Sequence, residues 1–153
     1  MASFMDLALE EARAAGKRGE VPIGCVLVHD GAIVAGAGNR TIGDRDPTAH
    51  AEIVAIREAC RKLASFRLTG CEVYCSCEPC PMCLGALYWA RPAGISFAAT
   101  REDAAAAGFE DSLIYWQIGL PYAQRSIPML HIADEQAIRP FEEWAGRPGK
   151  VLY

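Results

Sequence analysis

The segment CSCEPCPMCLGALYWARP, residues 75–92, contains the features of the sequence that decide the fold. It follows a strand predicted at 71–74 and contains a helix predicted at 79–90, so the chain passes from strand to helix within it. Cys80 and Cys83 are separated by two residues at the start of that helix, and this spacing places both sulfur atoms on one side of its first turn. A helix N-terminus lowers the pKa of a nearby thiol, which makes both groups candidate metal ligands.

Outward from this segment, helices and strands alternate without repeats or linkers, and we interpret residues 1–153 as one domain. Asp30-Gly31 lies between two apolar runs and predicts a β-hairpin. Helices that connect strands in the second half predict parallel pairing there, so the expected fold is α/β with a mixed sheet. The predicted strands are 23–28, 32–35, 71–74, 95–99 and 127–132, and the predicted helices are 3–17, 47–63, 79–90, 101–107, 112–117 and 134–145, the last interrupted at Pro140.

Composition and charge limit the classes of function. The 153 residues are 52% hydrophobic and 22% charged, as in ordinary globular domains, and 15 basic against 19 acidic residues give a net charge of −4. This excess of acidic residues does not indicate the basic surface that nucleic-acid binding requires. No segment resembles a signal peptide or approaches the roughly 18 apolar residues of a membrane span. We therefore expect a cytoplasmic protein, in which the 7 cysteines serve metal binding, catalysis or packing rather than disulfides.

His50, near the start of the helix predicted at 47–63, is a candidate third metal ligand. Two thiolates and one imidazole leave one tetrahedral position of Zn²⁺ open to water, which is typical of catalytic zinc sites. Zinc lowers the pKa of such a water to about 7. Glu52 lies two residues beyond His50, and its carboxylate is suited to accept a proton from water and return it to a leaving group.

Each part of this arrangement has a plainer interpretation when it is taken alone. A Cys-x-x-Cys pair also occurs in redox motifs and in structural zinc sites, where a non-enzymatic domain would need four ligands. The second pair for such a site, Cys75 and Cys77, has a gap of one residue instead of the usual two to four. His50 alone is equally compatible with a helix cap or a surface side chain. Only the combination favours a catalytic centre.

The order His-x-Glu followed by Pro-Cys-x-x-Cys is the signature of zinc deaminases that act on nucleobases, and the chain resembles the cytidine deaminase-like superfamily. The segment DPTAHAEIVAIR, residues 46–57, is similar to both bacterial tRNA adenosine deaminases and bacterial guanine deaminases. Guanine deaminases are the closer match for residues 75–92, for AAGFEDSLIY at 106–115 and for the C-terminal Phe141, Trp144 and Tyr153. The resemblance extends over nearly all of the chain.

This resemblance implies a three-layer α-β-α fold, in which a mixed five-stranded sheet has helices on both faces. It implies one Zn²⁺ per chain, bound by His50, Cys80 and Cys83, with Glu52 as the proton shuttle. The positions that match further functional residues of guanine deaminases are Asp111 for a second catalytic acid and Asn39, Trp89 and Tyr153 for contacts with the substrate. Guanine deaminases of this type are homodimers that exchange C-terminal segments, so Tyr153 is expected to close the partner's site.

The implied activity is the hydrolytic deamination of a free nucleobase, guanine to xanthine plus ammonia. Segment 21–24 instead resembles tRNA adenosine or fungal cytosine deaminases, and segment 39–43 resembles the tRNA enzymes. Cytosine, isocytosine, pterins, triazines and tRNA adenosine are therefore left as alternative substrates. The C-terminal sequence EEWAGRPGKVLY is not a basic run, which disfavours a nucleic-acid partner. Plainer roles also stay open for three residues: a core position for Trp89, a helix cap for Asp111 and a turn position for Asn39.

Overall fold

A mixed sheet of four strands lies at the centre of the computed structural model, which describes residues 1–153. The strands are β1 (Gly24–His29), β2 (Ala32–Gly38), β3 (Cys71–Cys77) and β4 (Gly94–Ala99), in the spatial order β2-β1-β3-β4. Strand β1 pairs antiparallel with β2 and β3, whereas β3 pairs parallel with β4. The α/β class and the mixed pairing expected from the sequence are confirmed.

Six α-helices accompany the sheet: α1 (Phe4–Lys17), α2 (Ala51–Lys62), α3 (Pro81–Ala90), α4 (Arg101–Ala106), α5 (Ser112–Ile118) and α6 (Arg139–Gly146). The chain forms two compact units, residues 1–114 and residues 115–153. The sheet and helices α1 to α4 lie in the first unit, and α6 lies in the second. None of the helices has the length and apolar character needed to cross a bilayer.

The β1–β2 hairpin turns at the dipeptide that predicts it. Asp30 has φ 50° and Gly31 has φ 75°, so both central residues adopt the left-handed conformation of a two-residue hairpin loop. Glycine adopts this conformation without the steric cost that a Cβ atom imposes, and aspartate tolerates it better than most residues. The local sequence therefore determines both the position and the backbone conformation of this turn.

Side-chain alternation along the strands gives the sheet two apolar faces. Cys25 and Leu27 of β1 point to the face that is covered by α2 and α3, where the buried partners include Ala51, Ala55, Ala59 and Leu87. Val26 and Val28 point to the opposite face, where they pack against Ala8 of α1. Helices therefore cover both faces of the sheet, and α2 and α3, which provide the candidate metal ligands, share one face.

The fifth strand expected at 127–132 is wrong, because the sheet contains four strands and ends at β4. The segment does contain apolar residues, but Ile127, Leu130 and Ile132 are all more than three-quarters exposed and so form no buried strand face. Pro128 interrupts the segment, and a residue without an N–H group cannot donate to a neighbouring strand. Apolar content alone predicts this strand, but a strand also needs a neighbouring strand with which it exchanges hydrogen bonds.

Two helix boundaries also differ from the sequence-based expectation. Helix α2 begins at Ala51 rather than at 47 or 48, because residues 40–49 form a closed loop in which the Arg40 N–H donates to the Ala49 carbonyl at 2.9 Å. Pro140 does not interrupt a helix at 134–145. It occupies the first turn of α6, where its missing N–H costs nothing, and a separate 3₁₀ turn precedes it at Glu135–Ile138.

Candidate metal centre

The N-termini of α2 and α3 bring three candidate ligands together. His50 is the N-cap residue of α2 and Cys80 is the N-cap residue of α3; both have extended backbones, and neither side chain makes the usual capping hydrogen bond. Cys83 lies one turn into α3 and is completely buried. Pro81 favours the start of α3 directly after Cys80. The local sequence thus leaves both N-cap side chains available for a ligand.

The distances among the three side chains fit a tetrahedral zinc site. His50 Nδ1 lies 3.5 Å from Cys80 Sγ and 3.6 Å from Cys83 Sγ. The three ligand atoms all lie within 4.8 Å of one another. Zinc–sulfur and zinc–nitrogen bonds of about 2.3 and 2.0 Å at tetrahedral angles separate the ligand atoms by roughly 3.5 to 3.8 Å. Two sulfur donors and one nitrogen donor are also the ligands that Zn²⁺ prefers in proteins.

The electrostatics of the centre favour a bound cation. Hydrogen bonds from Cys83 and His50 lower the pKa of the Cys80 thiol to about 4, despite the opposing effect of burial. The same contact with Cys80 raises the pKa of His50, and the hydrogen bond to Cys80, burial and the Glu52 charge raise the pKa of Cys83. Cys80 is therefore a thiolate, and a divalent cation would favour ionisation of the second thiol beside it.

Glu52 lies next to these ligands in the first turn of α2. Its side chain is 3% exposed, and Oε2 accepts a hydrogen bond from Cys83 Sγ at 3.4 Å. Burial raises the pKa of this carboxyl group, and the negative charge of Cys80 raises it further. A carboxyl group whose pKa is raised toward neutrality is suited to both accept and donate a proton.

Asn39, which follows β2 directly, connects this strand to the metal centre. Its side chain is 1% exposed, and Oδ1 accepts a hydrogen bond from the Ala51 N–H at 2.8 Å. Asn39 therefore caps α2 in place of His50 and fixes the helix turn that contains Glu52. Its Nδ2 is buried without a hydrogen-bond partner. A buried unpaired donor costs on the order of 1–3 kcal/mol, so this amide is a candidate for contact with a ligand.

Asp111 also lies near the centre, immediately before α5. It is 9% exposed, and its pKa is raised by burial and then by the charge of Cys80. Glu110, and not Asp111, accepts the hydrogen bond from the Ser112 N–H at 2.8 Å.

Phe109 is a part of this site that the sequence analysis does not identify. Its ring centroid lies 5.9 Å from that of His50, and the tilted packing restricts the orientation of the imidazole. The only sequence signal is the position of Phe109 two residues before Asp111, and nothing in that spacing indicates a contact with a residue 59 positions earlier (109 − 50 = 59).

Trp89 and Tyr153 do not lie in the buried cluster. Trp89 is near the end of α3 and its side chain is 61% exposed, so the core position considered for it is wrong. Tyr153 belongs to the second unit and is 68% exposed. Their expected contacts with a substrate stay predictions.

The fold and the cluster together define a zinc-binding deaminase domain. Residues 1–99 match the family model described as the cytidine and deoxycytidylate deaminase zinc-binding region, and the chain belongs to this family. The cofactor expected from the sequence is thereby supported, and the chain is a zinc-dependent aminohydrolase.

Three comparisons describe its relatives within the family. A guanine deaminase of Bacillus subtilis is 48% identical over 132 residues, which cover 86% of this chain and 85% of the relative. The X-ray structure of guanine deaminase from Bacillus subtilis superimposes with a TM-score of 0.95 over 98% of this chain and 96% of that chain, at 45% identity. A tRNA-specific adenosine deaminase of Agrobacterium fabrum is 57% identical over 88 residues, which cover 58% of each chain.

Proposed function

We propose that the protein deaminates guanine to xanthine and ammonia. The observation that carries this proposal is the extent of the likeness to guanine deaminase from Bacillus subtilis, which covers 98% of the chain at a TM-score of 0.95. The higher local identity to a tRNA-specific adenosine deaminase is confined to 58% of the chain. The likeness to the guanine enzyme thus includes regions where the tRNA enzyme offers no match.

The chemistry follows from the buried cluster. Zinc bound by His50, Cys80 and Cys83 would supply an activated water at neutral pH. Glu52 would carry two protons in turn: one from the attacking water to a ring nitrogen, which keeps it in the product, and one from the resulting hydroxyl group to the departing amine. One carbon–nitrogen bond breaks and one carbon–oxygen bond forms, so guanine and water give xanthine and ammonia.

The remaining side chains are proposed to bind and orient the base. The unpaired Nδ2 of Asn39 donates to an acceptor on the ring, which satisfies a donor that is otherwise buried alone. Asp111 is proposed as a second proton-transfer group; its carboxyl group is nearly buried, and burial and the charge of Cys80 raise its pKa, which favours a group that can hold a proton. Trp89 and Tyr153 provide aromatic surface for the planar ring.

A tRNA adenosine deaminase is the second candidate, favoured by the 57% identity over 88 residues. The net charge of −4 disfavours it, because binding of an RNA stem requires a basic surface. Cytosine, isocytosine, pterins and triazines stay open as small-molecule alternatives, since the same zinc chemistry acts on any ring carbon that carries an amino group.

A substrate panel tests the proposed function. The zinc-loaded protein is incubated with guanine, adenine, cytosine, isocytosine, a pterin, a triazine, guanosine and a tRNA anticodon arm, and ammonia release is measured for each. We expect guanine to be the preferred substrate. Deamination of the anticodon arm without release from guanine would identify the second candidate, and activity confined to another ring would replace guanine as the substrate.

Asn39→Asp separates the two roles of the Asn39 amide. Aspartate retains an oxygen that accepts from the Ala51 N–H, and its negative charge is favourable at the N-terminus of α2. It removes the Nδ2 donor, so we expect guanine to bind at least about tenfold more weakly while zinc content is retained. Guanine binding is measured by equilibrium dialysis in Glu52→Gln protein with and without Asn39→Asp, so that guanine is not consumed, and zinc content by atomic absorption. Unchanged binding of guanine would contradict the role of Nδ2.

We also propose that the protein is a homodimer whose C-terminal segments are exchanged. The second unit, residues 115–153, contains no buried residue, although it carries large apolar side chains, among them Leu130 at 85% exposure. Strand β4 of the first unit is also exposed, including Phe97 and Ile95. Apolar surface of this extent is typical of a face that is covered in an oligomer.

Complementation between two inactive variants tests the exchange. In a mixed dimer of Glu52→Gln and Tyr153→Ala chains, exchange places the intact Tyr153 of the first chain in the site that retains Glu52. Random co-assembly should therefore restore about a quarter of the wild-type activity, because half of the dimers are mixed and each has one complete site. Activity that stays at the level of the separate variants, or a monomeric mass by light scattering, would contradict the exchanged dimer.

A reducing cytoplasm is the proposed location. All 7 cysteines are free thiols, and 6 of them are buried or serve the metal centre. Proteins of oxidising compartments commonly pair such residues in disulfides.

A further inference from the structure

We infer that Glu20 is a positioning residue that holds the substrate-binding end of the site through the loop 40–49. Glu20 lies three residues beyond the end of α1, outside the metal centre, and is buried at 8% exposure. The inference rests on the proposed function, because it concerns the binding of guanine by Asn39.

The Glu20 carboxylate makes three hydrogen bonds to consecutive residues of this loop. Oε1 accepts from the Gly43 N–H at 2.7 Å, and Oε2 accepts from the Ile42 N–H at 3.1 Å and from the Thr41 hydroxyl at 3.2 Å. These bonds, led by the one from Gly43, lower the pKa of Glu20, so the carboxylate is charged and each bond is charge-assisted.

Both ends of the loop lead into the site. The Arg40 N–H donates to the Ala49 carbonyl at 2.9 Å and closes the loop at its base. Asn39 precedes this base and His50 follows it, so one closed loop joins the candidate substrate amide to a candidate metal ligand. A displacement of the loop by a fraction of an ångström would move Asn39 relative to the centre.

The loop is also held from the opposite side. Asp46 accepts hydrogen bonds from the Thr48 N–H at 2.8 Å and from the Thr48 hydroxyl at 2.7 Å, and it contacts Arg57 of α2 at 3.4 Å. This second attachment ties the His50 end of the loop to α2. At the other end, Asn39 donates its N–H to the Ile23 carbonyl at 3.0 Å and has a long contact from Arg18 to its own carbonyl at 3.5 Å, and Glu20 holds the loop residues that follow it. Because the Glu20 bonds fall on residues 41–43, next to Asn39 and far from His50 along the loop, loss of Glu20 should affect Asn39 more than the metal ligands.

The test compares guanine binding by zinc-loaded Glu52→Gln protein with and without Glu20→Gln. Glutamine has the shape of glutamate but replaces one acceptor oxygen by a donor, so we expect the Kd for guanine to rise about tenfold. Zinc content should stay unchanged, and hydrogen exchange of the Ile42 and Gly43 amides should become faster. Thr41→Val removes one of the three bonds and leaves Glu20 intact, so it should raise the Kd by about two- to threefold.

Glu11→Gln is the matched control, because Glu11 lines the same surface cavity of about 650 Å³ as Glu20 but accepts none of the loop bonds. It should leave the Kd unchanged. A merely structural role for Glu20 would lower the melting temperature and leave the Kd of the folded variants unchanged, which would overturn the inference. If the parent Glu52→Gln protein itself binds no guanine and the wild type releases no ammonia from it, the proposed function fails, and the inference fails with it.

Discussion

Replacement of Glu52 by glutamine is expected to lower kcat for guanine deamination by about a thousandfold, while the protein keeps its zinc. Glu52 is 3% exposed and contacts the metal-site residue Cys83 at 3.4 Å, so no solvent group can replace it as a proton carrier. Glutamine fills the same volume but cannot accept and release a proton. The measurement is ammonia release at saturating guanine, together with zinc content by atomic absorption.

The matched control for this variant is Glu58→Gln on the same helix. Glu58 is partly exposed and pairs with Lys62 at 2.6 Å on the helix surface, so its replacement should leave kcat within about twofold of the wild type. Asp111→Asn should reduce kcat by less than Glu52→Gln does, because Asp111 is assigned a share of the proton transfer only. Full activity of zinc-loaded Glu52→Gln would contradict the catalytic interpretation of the cluster.

Replacement of Cys83 by alanine is expected to remove zinc almost completely, from about one ion per chain to nearly none, and to abolish deamination. Only two ligands, His50 and Cys80, would then remain of the three that converge within 4.8 Å. Because metal binding stabilises the folded state, the melting temperature of the protein purified with zinc should also fall by several degrees.

Cys60→Ala controls for the loss of a thiol as such. Cys60 is a partly buried cysteine of α2 that packs against the core and does not belong to the ligand cluster. This variant should retain zinc and activity and should lose only the packing contribution of one sulfur atom. Retention of one zinc per chain by Cys83→Ala would show that the metal does not depend on this ligand set.

Local sequence signals predicted most of the first unit. The Asp30-Gly31 dipeptide predicted the hairpin because its conformation depends on two adjacent residues. The spacing of Cys80 and Cys83 predicted neighbouring thiols because one helical turn separates them. Such features depend on residues within about four positions, for which backbone geometry leaves few alternatives.

In the C-terminal region, local sequence signals did not predict the structure. Ile127 and Leu130 suggested a strand by their apolar character, but a strand exists only if a neighbour accepts and donates its hydrogen bonds, and none pairs with this segment. None of residues 115–153 is buried, so their apolar pattern did not predict a core within this unit.

By itself the sequence predicted the zinc donors, Glu52 as the proton carrier and the α/β class: the thiol pair from its spacing in one helical turn, His50 and Glu52 from the signature shared with zinc deaminases, and the class from the order of helices and strands. Only the tertiary structure decided that Asn39 caps α2, that Phe109 packs on His50 and that Glu20 holds the loop 40–49. These contacts join residues from 12 to 59 positions apart (51 − 39 = 12; 109 − 50 = 59), a range over which no periodicity of the chain applies. The packing of the helices on the sheet brings such residues together, so the tertiary structure determines how the side chains of the site are positioned.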